Sequence, residues 1–193
     1  MILRLRSNIV ILVLALAGLV QMAQASEVTA FDLIKEGNKY IGVQAKDKIV
    51  QIRSEKSIGG LAPNIWFVVY YDPTATFKAT EVKFGGGKMM EVKRPLRVLE
   101  PVMGKDQPLE AAKLKVDSDR ALAVAMKEPL LAKLNLKATQ FWLEHTDLGP
   151  AWRIRFWAAK LSKPEQMVDI GDVTVSTESG QVVKDALHPN RVD

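Results

Sequence analysis

One order of elements can be read twice in this 193-residue chain, and it restricts the available folds more than any composition figure does. Each half reads helix, strand, strand, strand, tight turn, strand. In the first half a helix starts at Thr29, with Leu33, Ile34, Gly37, Tyr40 and Ile41 on one face at helical spacing. In the second it starts at Asp117-Ser118-Asp119, with Ala121, Leu122, Ala125 and Met126 as its apolar stripe. The interval from helix start to turn glycine is 58 residues in one half (Thr29 to Gly87) and 62 in the other (Ser118 to Gly180). The second strand of each half opens on a Pro and a Trp: Pro63 and Trp66, then Pro150 and Trp152. A tandem duplication accounts for this pattern. The expected class is therefore α+β, with two α-β-β-β-β units whose antiparallel sheet or sheets carry helices packed on one face. The expected boundaries are 1–25 for a leader, 26–93 for the first unit, 94–116 for a linker and 117–193 for the second unit. The rival account is one continuous antiparallel sheet with two helices.

The strands are read from β-branched and aromatic runs punctuated by turn residues. Residues 48–53, 65–71, 77–84 and 88–92 form the first set. Residues 139–144, 151–159, 167–176 and 181–184 form the second. Gly85-Gly86-Gly87 supplies the positive φ that a tight hairpin needs. Pro95, Pro101 and Pro108 mark residues 93–116 as irregular, and Pro129 kinks or restarts the second helix, with Leu130 to Leu136 continuing its apolar pattern.

The N-terminus reads as an export signal. Arg4 and Arg6 precede an apolar run from Ile9 to Val20, and Ala23-Gln24-Ala25 places small residues where a signal peptidase needs them. The run is too short to span a bilayer, which takes about 20 apolar residues. Cleavage is expected after Ala25, giving a periplasmic or secreted protein of 168 residues with net charge +3 and no stable membrane insertion.

Composition excludes several functions. With no cysteine in the chain, disulfide scaffolds, thiol catalysis and Cys-ligated zinc are ruled out. Basic and acidic residues alternate, as in Arg53-Ser54-Glu55-Lys56, which describes a solvated surface and no nucleic-acid footprint. His145 and His188 are the only histidines and lack metal-ligand spacing, so no metal and no cofactor is expected. Gly85-Gly86-Gly87-Lys88 departs from the phosphate-loop pattern, since Met89 follows the Lys. Ser54, Lys56 and Ser57 resemble a Ser–Lys dyad only in spacing. Asp169 and Asp172, three apart on a strand, are expected on opposite faces. No catalytic residue is assigned.

One surface stands out. In the strand from Trp152, alternation puts Trp152, Ile154 and Phe156 on one face and Arg153, Arg155 and Trp157 on the other. The preceding strand adds Trp142 to the second face. Trp142, Arg153, Arg155 and Trp157 are the candidate partner surface, because Trp and Arg dominate binding hot spots. The plainer reading is that this face packs on the other half of the molecule, or pairs with Glu144.

The Ala-rich helix Asp119-Arg120-Ala121-Leu122-Ala123-Val124-Ala125, the strand from Trp152 to Trp157, and the hairpin from Val173 through Glu178-Ser179-Gly180 to Val183 together resemble a PepSY-type domain. The resemblance covers about 70 residues of the second half and is fainter in the first. It implies a non-catalytic extracytoplasmic module that engages a protein partner, a peptidase or another envelope protein. Tandem copies are similar in architecture to the β-lactamase inhibitory protein. Two other functions stay open: a carrier or sensor of a small ligand held between helix and sheet, and a hydrolase with an unrecognised site.

Overall fold

The computed structural model describes residues 28–94 and 107–193. The expected leader, 1–25, and the middle of the expected linker lie outside the described residues. Helix α1 (Ala30–Gly37) is followed by strands β1 (Ile49–Ser54), β2 (Ile65–Tyr71), β3 (Ala79–Gly85) and β4 (Lys88–Lys93). Helix α2 (Ser118–Ala125) is followed by β5 (Leu136–Thr146), β6 (Gly149–Ala159), β7 (Met167–Ser176) and β8 (Val182–Leu187).

The expectation of an α+β protein built from two α-β-β-β-β units is corrected here. The described strands form one eight-stranded sheet in the order β4-β3-β2-β1-β5-β6-β7-β8, with every neighbouring pair antiparallel. The architecture is sheet-dominated. The halves are joined where β1 pairs with β5, at Ile52↔Leu143 and Arg53↔Trp142. Each of those strands would be an open edge if its half stood alone, and pairing them removes two exposed rows of backbone donors and acceptors. One cluster of buried side chains runs through both halves, from Ala30 and Leu33 to Val175 and Val192. The two α-helices are too short to make a full second layer. Eight residues of helix are about 12 Å long, whereas eight strands about 4.8 Å apart make a sheet about 34 Å across.

Both helices end sooner than the apolar patterns predict. α1 stops at Gly37, where Asn38 turns away and exchanges hydrogen bonds with Asp47. α2 stops at Ala125, and Leu130 to Leu134 run in successive turns. Pro129 lacks the amide that a continuing helix would need. The buried faces of the helices use small residues, Ala30, Gly37, Ala121 and Ala125, which let them sit close on the sheet. The two repeated tryptophans then meet in the core. Trp66 and Trp152 lie 6.3 Å apart, edge to face, with Phe141 against both. Such pairs contribute about 0.5–1.5 kcal/mol beyond their area. Each indole N–H is satisfied, Trp66 donating to the nearby Pro63 carbonyl and Trp152 to the distant Val116 carbonyl.

The sheet's outer strands are blunted. β4 is exposed along its whole length, carries Lys88 and Lys93 at its ends, and has a register irregularity against β3. Charged termini and bulges are the usual protection of a free edge.

Candidate functional site

The helices cover one face of the sheet, and the other carries the side chains singled out from the sequence. Along β6 the residues alternate as expected: Trp152, Ile154 and Phe156 are fully buried toward the helices, while Arg153, Arg155 and Trp157 are half-buried on the far side. Trp142 joins them from β5. Neither half of the described molecule folds over this face. The Glu144 pairing does occur, with Arg153 Nε donating to Glu144 Oε1 at 3.1 Å.

The structure extends the surface to residues that sequence reasoning missed. Register places Arg53 beside Trp142 on one side and Phe67 on the other. Lys83 follows Phe67 on β3, and Arg153 follows Trp142 on β6. The result is a row in which cations and rings alternate. Arg53 lies 4.1 Å and Lys83 5.1 Å from the Phe67 ring centre. Arg153 lies 4.3 Å and Arg155 5.6 Å from that of Trp142. Lys56 caps Trp157 at 4.6 Å. Long basic side chains thus lay their hydrocarbon stems over a face that none of the described helices covers. No local signal marks Arg53 or Phe67, because their neighbours depend on the pairing of β1 with β5.

Acids thread the same face. Arg155 holds Asp172 through two parallel bonds, Nε to Oδ1 at 2.7 Å and an Nη to Oδ2 at 3.1 Å, and Asp169 lies 3.5 Å away. The hydrogen bonds that Arg155 donates to Asp172 raise the guanidinium pKa above its ordinary value, against some desolvation. The expectation that Asp169 and Asp172 point to opposite faces is corrected by a bulge. The register of β7 on β6 skips a residue between Asp172↔Arg155 and Asp169↔Trp157, and Gly171 takes φ +102°. An extra residue in the strand restores both carboxylates to one side. Glu81 is buried between Arg53 at 2.6 Å and Lys93 at 3.3 Å.

The face is therefore nearly neutral and densely cross-linked. Exposed or half-exposed pairs of this kind contribute about 0–1 kcal/mol each to stability, and cation–π contacts about 0.5–1 kcal/mol. The serines considered as nucleophiles are committed elsewhere: Ser54 Oγ accepts the Phe141 amide at 2.9 Å, and Ser57 Oγ donates to Gly60 O and accepts the Thr139 amide. Lys56, their supposed partner, lies on Trp157. His145 contacts the Gln107 carbonyl, and His188 is exposed at the end of β8. Among the described residues no group of three or more His, Asp or Glu side chains converges as metal ligands. Among them, too, no helix is long and apolar enough to cross a membrane.

No family model, no curated protein and no solved structure matches the chain.

Proposed function

We propose that this chain is an exported, non-catalytic binding module that engages a protein partner, a peptidase or another envelope protein, through the face of the sheet opposite its helices. The row of alternating rings and cations centred on Trp142 and Arg153 carries this reading. Trp and Arg anchors backed by a rigid sheet are the composition of an interface core, and ion pairs already formed on the free surface hold the guanidiniums in place before a partner arrives. The signal-like residues 1–25 support the location, and the resemblance of the second half to PepSY-type domains supports the partner class.

Inhibition and binding assays of the exported chain against secreted peptidases test the reading. Trp142→Ala and Arg155→Ala are expected to weaken binding at least about 30-fold, the scale of a hot-spot loss. Arg155→Ala should cost about 1 kcal/mol or less in folding stability, since its ion pairs are partly exposed. A partner bound equally well by both variants would place the interface elsewhere. A stability loss several times larger for Arg155→Ala would make the row a structural cover of the sheet.

A further inference from the structure

The helix side of the sheet holds a second, independent feature. A cleft of about 490 Å³ opens between the N-terminal ends of α1 and α2, the loop before β2 and the β3–β4 turn. Its floor is Trp66 and Phe141, with ring centres 5.5 Å apart. Leu33 of α1 and Leu122 of α2 form its walls. Both rings are almost wholly covered, and the apolar surface that a ligand reaches is chiefly that of Val28, Ala62, Pro63 and Leu122. A volume of this order suits a small molecule of one or two rings.

The polar groups at the mouth decide what charge it accepts. Two helix N-termini meet here, which would ordinarily favour an anion. Three of their amides are already taken: the Ala30 N–H donates to Ser118 Oγ, and those of Phe31 and Ser118 donate to the Asp117 carboxylate. Thr29 donates to Asp32. Among the described residues that line the cleft, Asp119 is the single charged one. It belongs to the first turn of α2 and is exposed. Asp117, at the junction of the two helix ends, adds negative charge beside it, and among the described residues no lysine or arginine lines the cleft.

We infer that this cleft binds a small amphipathic cation, with its apolar ring or chain against Val28, Pro63 and Leu122 and its ammonium group at Asp119. The site lies on the opposite face from the Trp142 row and does not depend on the function proposed for that row.

Two probes with the same ring and opposite charge test it: 2-naphthylmethylamine and 2-naphthoate, titrated into the full chain by calorimetry and by the NMR shift of the Trp66 indole N–H. The amine is expected to saturate the site at least ten-fold more tightly than the carboxylate. Asp119→Asn should bring the two within about two-fold of each other. Leu122→Trp, and independently Ala62→Trp from the exposed loop, should fill the cleft and abolish binding in a chain that still unfolds cooperatively. Trp142→Ala, on the far face, should leave binding unchanged. Equal affinity for the two probes, no saturable binding at millimolar concentration, or amine binding that survives both filling variants would overturn the inference.

Discussion

Asp117, the residue before α2, accepts the backbone N–H of Phe31 in the first turn of α1, with each carboxylate oxygen at 3.2 Å. The same side chain accepts the Ser118 N–H at 2.6 Å, so one carboxylate caps both helices across 86 residues of sequence. Ser118 adds a second cross-link by accepting from Ala30. Thr29, the expected cap of α1, makes no capping bond and turns its hydroxyl to Asp32. Burial pushes the Asp117 carboxyl above its ordinary range, while the backbone N–H groups of Ser118 and Phe31 pull against that. The two helices are thus ends of a single polar junction resting on one sheet.

Losing that junction should be costly. A side-chain cap contributes typically about 1 kcal/mol, and Asp117 serves two. Asp117→Ala is expected to lower unfolding free energy by about 2 kcal/mol or more, and Thr29→Ala by well under half of that. Urea titrations of the two variants check it, and equal losses would show that the helices are capped independently.

Gly171 is required twice over. Its φ of +102° is reached comfortably only by glycine, and a Cβ there would run into the carbonyl oxygen of Ala186 on β8. Gly171→Ala is expected to destabilise by about 3 kcal/mol or more. It should also detach Asp169 from Arg155, because the bulge that turns Asp169 toward it would relax. Thermal unfolding together with NMR of the Arg155 side chain reads both effects. A near-neutral substitution would mean that the bulge is not maintained in solution.

The close seat of α1 rests on Gly37 and Tyr70. The Tyr70 hydroxyl donates to the Ile34 carbonyl at 3.0 Å and fills the space that a Cβ on Gly37 would need. Gly37→Ala alone should destabilise despite alanine's better helix propensity. Tyr70→Phe alone should cost about 1 kcal/mol for the lost hydrogen bond. Combined, they should be at least about 1 kcal/mol less harmful than the sum, since removing the hydroxyl relieves the clash. Additivity within about 0.5 kcal/mol would refute the contact.

Asp72 makes stability depend on acid. Burial would raise its carboxyl, but the Thr74 hydroxyl and amide, the Thr80 hydroxyl and Arg94 together outweigh that and hold it down to about 2. A carboxylate depressed in the folded state contributes stability that is fully present above its unfolded value, near 3.9, and is lost as pH falls through the folded value. Stability should therefore drop between about pH 4 and pH 2, and Asp72→Asn should flatten that part of the profile while lowering the plateau above it. Urea midpoints measured from pH 2 to 6 decide the matter; an unchanged slope in the variant would exclude Asp72 as its source.

What the sequence determined by itself is what depends on near neighbours along the chain. The alternation from Trp152 to Trp157 places three side chains under the helices and three opposite, as observed. Gly86 and Gly87 take φ of +56° and +75° in the β3–β4 turn, as a tight hairpin demands. Asp117 caps the helix it precedes. The tertiary structure decided what depends on which strand meets which. Arg53 reaches Trp142 only because β1 pairs with β5, and that pairing replaces two units with one sheet. Asp169 joins Asp172 on Arg155 only because β7 gains a residue at its bulge. Asp117 caps α1 only because the shared core brings two distant helix ends together. Periodicity reports the face of each strand, but register and pairing follow from the summed energies of cross-strand contacts, which no single segment contains.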